Sequence, residues 1–221
     1  MTSAKTKKEK KHKDWRKAAR KAMREATERE LISRHGSITT PSFNYRWEHV
    51  KAVVALAVKL AELTGADAEI VEAAAWLHDI CKEQKERHPQ EGARFAREFL
   101  PTTDFPPEKI ARVANAIEKH MGLWREKPLK KLESQVLWDA DKLSKIGLTA
   151  AFHWTGVALA GTKSHNLNDI IAKARSADWH EKTVASMHTK PARCAAAARF
   201  KAFNDLWDML ERELKGDDLS C

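Results

Sequence analysis

Apolar residues recur every three or four positions along most of this chain, and nowhere do they alternate as a half-buried strand requires. Asp14 reads as the cap of a helix running to about Arg34, with Trp15, Ala18, Ala19, Ala22, Met23, Ala26 and Glu30-Leu31 near one face and Gly36 ending it. Ser37 to Tyr45, with Pro41, reads as a loop. A second helix is predicted from about Trp47 to Leu63, its stripe formed by Val50, Val53, Val54, Ala57, Leu60 and Ala61, with Gly65 as the stop. Asp67 caps a third, Glu69 to about Glu83. His88-Pro89 opens a fourth, which carries Ala93, Phe95, Ala96, Phe99 and Leu100 as far as Pro101. Pro106-Pro107 starts a fifth with Ile110, Val113, Ala114, Ile117 and His120 on one side, closed by Met121-Gly122. A sixth covers about Leu132 to Ala151 and presents Val136, Leu137, Ala140, Asp141, Ser144 and Leu148. Residues 152–188 show little pattern apart from a helical Asn168 to Ala177. Thr189-Lys190-Pro191 begins a last helix to about Leu214. The reading is an all-α protein. Residues 1–38 form a basic, partly disordered and partly helical extension, 39–215 one helical bundle, and 216–221 a tail.

Composition sharpens that picture in two places. The 221 residues carry a net charge of +9, and it is uneven. Residues 1–30 hold twelve Lys or Arg against five Asp or Glu, which leaves the rest of the chain near balance. Such an arm solubilises, or it binds nucleic acid or another acidic surface; the solubilising role is the default. Cys81, Cys194 and Cys221 are odd in number and lack CxxC spacing, so they read as reduced thiols in a cytoplasmic protein. Met1 to Lys13 has no apolar core of the kind a secretory signal needs. No run approaches the roughly 18 apolar residues of a membrane span.

Candidate chemistry centres on His78-Asp79, at the end of the apolar run Ala73-Ala74-Ala75-Trp76-Leu77. A carboxylate buried there needs a partner or a metal. His49 precedes the stripe of its helix by one residue. His120 follows Val113 and Ile117 by seven and three. Asp141 stands four after Leu137, and His88 sits just before a helix start. Each alone is explained by core packing or capping; together they predict one centre. Imidazole with carboxylate suits Mn²⁺, Fe, Co²⁺, Ni²⁺ or Zn²⁺, with Mg²⁺ also in range, and the absence of cysteine ligands argues against a structural zinc.

The order His49, His78-Asp79, Asp141 resembles the signature of the HD-domain superfamily of metal-dependent phosphohydrolases. Asn44-Tyr45-Arg46-Trp47-Glu48-His49-Val50 is similar to the start of the family's first ligand helix, Leu77-His78-Asp79-Ile80 to its HD motif, and Trp138-Asp139-Ala140-Asp141-Lys142-Leu143 to its closing aspartate motif. Ser186 to Arg193, followed by Arg199, is similar to the last helix of small bacterial and archaeal members. The resemblance implies that His49, His78, Asp79 and Asp141 hold one metal. His88 and His120 match the histidines of subfamilies with a second metal, bridged by Asp79. Cys81 stands where many relatives have Gly.

A divalent metal lowers the pKa of its bound water toward about 7, which suits hydrolysis of a phosphate ester or anhydride of a nucleotide or similar small molecule. Around Asp79, Lys82 reads as a phosphate-binding or catalytic residue, four beyond His78 on one helix face. Glu83 is a candidate acid-base group or a partner for nearby cations. Lys142 is placed to meet an anionic substrate, and Arg193 and Arg199 either grip phosphate or pair on the surface. Asp139 is expected to orient a neighbour. Two rival readings keep the scaffold. One is a non-catalytic, metal-binding regulatory or nucleic-acid-binding module; the other is a di-iron HD oxygenase.

Overall fold

The computed structural model describes residues 13–35, 43–160, 165–176 and 178–219. Ten α-helices occur among them and no strand: α1 (Trp15–His35), α2 (Tyr45–Thr64), α3 (Ala68–Leu77), α4 (His88–Phe99), α5 (Ile110–Glu118), α6 (Leu132–Leu143), α7 (Leu148–Ala160), α8 (Leu167–Arg175), α9 (Trp179–Ala185) and α10 (Lys190–Lys215). The all-α expectation holds. The expectations for residues 1–12, for Gly36 and the Ser37–Ser42 part of the loop, and for Cys221 lie outside the described residues. No helix among the described residues is long and apolar enough to cross a membrane.

Local chemistry sets the helix ends. The Asn44 side chain accepts from Trp47 N and starts α2, and Gly65 closes it with a left-handed φ of 74°. Asp67 caps α3 through Ile70 N, Asn166 and Asp169 form a capping box on α8, and Thr189 caps α10 with Pro191 in the first turn. The core joins α1 through Trp15, Ala19, Met23 and Ala26 to α2, α3, α5 and α6, where Val50, Val53, Leu77, Ile117, Leu137 and Trp138 are buried. Although α1 is basic outside, its inner stripe is part of this core. A second, smaller cluster joins Ala151 of α7, Ile170, Ile171 and Ala174 of α8, and Phe203 and Trp207 of α10.

Three predicted helices end early. The third stops at Leu77 rather than near Glu83, and the chain tightens into i→i+3 turns, Ile80 N to Leu77 O at 3.2 Å and Lys82 N to Asp79 O at 3.1 Å. Lys82 is therefore one such turn from Asp79, not four residues along a helix from His78. The fifth ends at Glu118, just before His120. The sixth breaks after Leu143 and restarts at Leu148, so Leu148 belongs to α7 and is exposed, not part of the stripe of Asp141.

Gly147 makes that break. Its φ is +89°, and a Cβ there would lie 2.8 Å from Arg199 Cβ on α10. Gly147→Ala meets both the conformational and the steric cost, and the expected loss is about 2–3 kcal/mol in urea unfolding. Lys85 is the opposite case. Its φ of 52° and ψ of −117° match the first central position of a type II′ turn, which glycine favours, yet its side chain is exposed. Lys85→Gly is expected to raise stability by about 1 kcal/mol, seen as a higher denaturation midpoint.

Candidate metal centre

The end of α3, the first turn of α2, the start of α4, the end of α5 and the last turn of α6 meet at one buried point. His49, His78, Asp79, His88, His120 and Asp141 are all buried there. His49 Nε2 lies 3.2 Å from Asp141 Oδ1, and His78 Nε2 lies 3.6 Å from Asp79 Oδ2. His88 Nε2 and His120 Nε2 lie 3.4 and 3.6 Å from Asp79 Oδ1, and 3.2 Å from each other. Two triads among them bring one ligand atom each within 4.8 Å of the others: His49, His78 and Asp141, and His78, Asp79 and His120.

The hydrogen bonds on the far side of each ring fix what it presents to the centre. A backbone carbonyl only accepts, so a ring nitrogen bonded to one carries the proton. His78 Nδ1 donates to Ala75 O at 2.8 Å, His120 Nδ1 to Ile117 O at 2.6 Å, and His88 Nδ1 to Lys85 O. The Ser144 hydroxyl donates to Asp141 O at 2.7 Å, which leaves it to accept from His49 Nδ1 at 3.0 Å. With Nδ1 engaged in this way, all four rings turn Nε2 inward. His49 Nε2 and His78 Nε2 are buried without any hydrogen-bond partner. Four lone pairs and two carboxylates facing one another form an acceptor-only cage, and a cation is what such a cage fits.

Burial keeps the His49, His78 and His120 rings unprotonated. It presses the His49 imidazole down to about 4, His78 well below its usual range, and His120 down as well. Burial would raise the two carboxylates, but neighbouring positive charge outweighs it. Arg46 foremost, with Lys82, holds Asp79 well below the ordinary carboxylate range, and Lys142 and Lys145 do the same for Asp141. Both carboxylates are thus charged at any ordinary pH.

Those cations form a partial ring round the cage. Arg46, buried in the first turn of α2, bonds Asp79 through Nη1 and Glu30 of α1 through Nε at 2.8 Å. Lys82 Nζ donates to Asp79 Oδ1 at 3.0 Å and to His88 Nε2 at 3.1 Å. Lys145 Nζ lies 2.5 Å from Asp141 Oδ1. Lys142 is buried, bonded to Asp141 and to His120 O at 3.0 Å, and burial lowers it to about 8. Tyr45 stacks on His49 with ring centroids 5.7 Å apart.

Beside this centre lies a cavity of about 740 Å³. Arg46, Ser144 and Lys145 border it on the side of the cage, and Tyr45, His153 and Trp154 are among its aromatic walls. The sequence did not single out Arg46 or Lys145. Their signal was spacing: Arg46 is in register with Val50 and Val53, and Lys145 is four beyond Asp141. Other expected residues lie elsewhere. Glu83 faces Arg29 at 3.8 Å, and Arg193 donates to the carbonyls of Met187 and His188; neither has a described contact with the cage. Arg199 donates to Leu143 O at 2.7 Å. Asp139, two before Asp141, accepts from His188 N, His188 Nδ1, Thr189 N and Thr189 Oγ1 at 2.8–3.0 Å and so pins α6 to the start of α10.

A family model described as HD domain matches residues 46–146, the stretch that supplies all six cage residues. The chain is 27% identical over 187 residues to YpgQ of Bacillus subtilis (strain 168), an uncharacterized protein, a match spanning 82% of this chain and 90% of that one. Among solved structures it resembles Bacillus subtilis YpgQ in complex with ADP, with a TM-score of 0.61 and 24% identity over 89% of this chain and 98% of the other. It also resembles a predicted HD superfamily hydrolase from an uncultured Thermotogales bacterium, with a TM-score of 0.59 and 24% identity over 90% and 91% of the two chains.

Proposed function

We propose that this chain, which a family model described as HD domain matches over residues 46–146, is a metal-dependent phosphohydrolase of the HD-domain superfamily acting on a nucleotide or a similar small phosphate ester or anhydride. The observation that carries this is the acceptor-only cage, with two buried Nε2 atoms that have no partner within the protein. His49, His78, Asp79 and Asp141 would hold one divalent cation, and His88 and His120 a second, with Asp79 shared. Such a cation, when bound, lowers the pKa of its water toward about 7 and offsets charge on the phosphoryl oxygens.

The protein's own residues supply the rest. Arg46 and Lys145 border both the cage and the cavity, so they are the groups placed to grip the phosphoryl end of a substrate. Arg46 is held in place by Glu30, which leaves less of its freedom to be lost on binding. Lys82, on the other side of Asp79, orients that carboxylate and His88 together. The apolar and aromatic walls suit the remainder of a nucleotide, and ADP bound to the related YpgQ supports that substrate class.

The test is phosphate or pyrophosphate release from a panel of nucleotides and generic phosphate esters. The protein is stripped of metal and resupplied in turn with Mn²⁺, Co²⁺, Ni²⁺, Fe²⁺, Zn²⁺ or Mg²⁺. Turnover that depends on the added ion is the expected result. Folded protein that binds metal and turns over nothing with any ion would overturn the reading.

A further inference from the structure

The outer face of α1 is a basic ridge that the reaction does not use. Trp15, Ala19, Met23 and Ala26 turn its apolar stripe into the core, while Lys13, Arg16, Lys17, Arg20, Lys21 and Arg24 are exposed. Lys17, Arg20, Lys21 and Arg24 share the side facing water, at helical spacing. The acids nearby engage them weakly: Lys17 meets Asp14 at 3.9 Å and Lys21 meets Glu25 at 3.8 Å, both pairs well exposed. Arg16 is closer to its partner, Glu72, at 2.9 Å. Arg20 and Arg24 instead lie over the Trp47 ring, at 5.9 and 5.7 Å from its centroid. Stacking uses the faces of the guanidinium groups, while their donors lie in the plane, where phosphate oxygens meet them.

Helix stability does not explain this placement. The first turn of α1 has no acidic residue, and Arg16 and Lys17 fall within it, where the dipole disfavours cations. The first N–H groups of the helix are already taken, Trp15 N by Asp104 at 2.7 Å and Lys17 N by Asp14 at 3.0 Å, so the field that attracts phosphate here is that of the side chains. Directly upstream in the chain stand Lys5, Lys7, Lys8, Lys10 and Lys11 against one acid, Glu9.

We propose that this ridge binds a polynucleotide through its phosphate backbone, independently of the reaction at the cage. A lipid surface suits it less well, because the apolar stripe of α1 beneath the ridge is buried and the large apolar residue that the helix does expose, Ile32, lies eight residues beyond Arg24, off the ridge.

The experiment is fluorescence anisotropy with labelled single-stranded RNA and duplex DNA, titrated at about 50 to 200 mM salt. The variants are Arg20→Glu/Arg24→Glu and, as a charge-matched control away from the ridge, Lys59→Glu/Lys201→Glu. The expected result is salt-dependent binding to at least one polynucleotide. The ridge variant should weaken it at least about tenfold and lower the salt slope by about one per cation removed. The control should stay within about twofold, and both variants should keep the wild-type thermal midpoint within a few degrees. Absence of binding at the lowest salt would overturn the proposal, as would equal weakening by the control. So would tighter binding to phosphatidylserine vesicles that the same ridge substitutions abolish. The RNA and DNA arms decide which polynucleotide is preferred.

Discussion

Asp79→Asn is expected to weaken metal binding at least about 100-fold and to remove metal-dependent phosphate release, with the helical content unchanged. The magnitude follows from where Asp79 stands. Substitutions one step behind a metal ligand already cost about 10- to 100-fold in metal affinity or activity, and Asp79 faces the centre directly. Its Oδ1 is within 3.6 Å of both His88 and His120, and its Oδ2 is within 3.7 Å of both His49 and His78. Asparagine keeps the shape and one carbonyl oxygen but removes the charge and one acceptor, so it separates coordination from packing. Calorimetric titration with Mn²⁺ reads the affinity, and circular dichroism reads the fold. Metal binding within about tenfold of wild type would show that Asp79 is not a ligand.

Much of that site was legible before any coordinates. His49, Asp141 and His120 were found because each stands in register with an apolar stripe, and a polar group in such a place must face inward. The order His49, His78-Asp79, Asp141 carried the family. Helix ends were less legible. Nothing between Ile80 and Arg87 is glycine or proline, so the chain there reads as a continuation of α3. It unwinds because tight turns bring Asp79, Lys82 and His88 round one point, a tertiary demand that outweighs local propensity. Gly147 was a visible signal for the break between α6 and α7, and reading 132–151 as one helix missed it. Residues 152–188 hid α7 and α9. The outward face of α7 carries Leu148, Phe152 and Leu159, so polar and apolar positions do not separate into two faces.

Charge partners were the other gap, since periodicity shows which residues turn inward but not which of them meet. Glu30 of α1, Arg46 of α2 and Asp79 in the turn after α3 form one buried chain of charge. The sequence placed Glu30 on the inner face of its helix but gave it no partner. Its bonds to Arg46 at 2.8 and 3.2 Å make α1 a support for the centre, although the family match begins only at Arg46.

That chain of charge leads to the second large effect. Arg46→Met is expected to destabilise the protein by about 3–5 kcal/mol, measured by denaturant unfolding. Methionine fills much of the volume and keeps helix propensity, so packing and α2 itself lose little. What changes is electrostatic. Burial presses the Arg46 guanidinium down, yet Asp79 and Glu30 together hold it charged and above its ordinary value. Without it, two carboxylates that are almost wholly shielded from water lose their shared cation; Asp79 keeps Lys82 and Glu30 keeps its other neighbours, but a buried charge compensated only in part is the costly outcome when one partner is removed. Glu30→Gln/Arg46→Met is the informative companion, because removing both partners removes the imbalance at Glu30 while leaving that at Asp79. It should regain a measurable part of the loss. If the double variant is no more stable than Arg46→Met, Glu30 is balanced by other neighbours and α1 does not support the centre electrostatically. If Arg46→Met itself costs less than about 1 kcal/mol, the buried chain of charge is not what holds α1 and α2 to the HD turn.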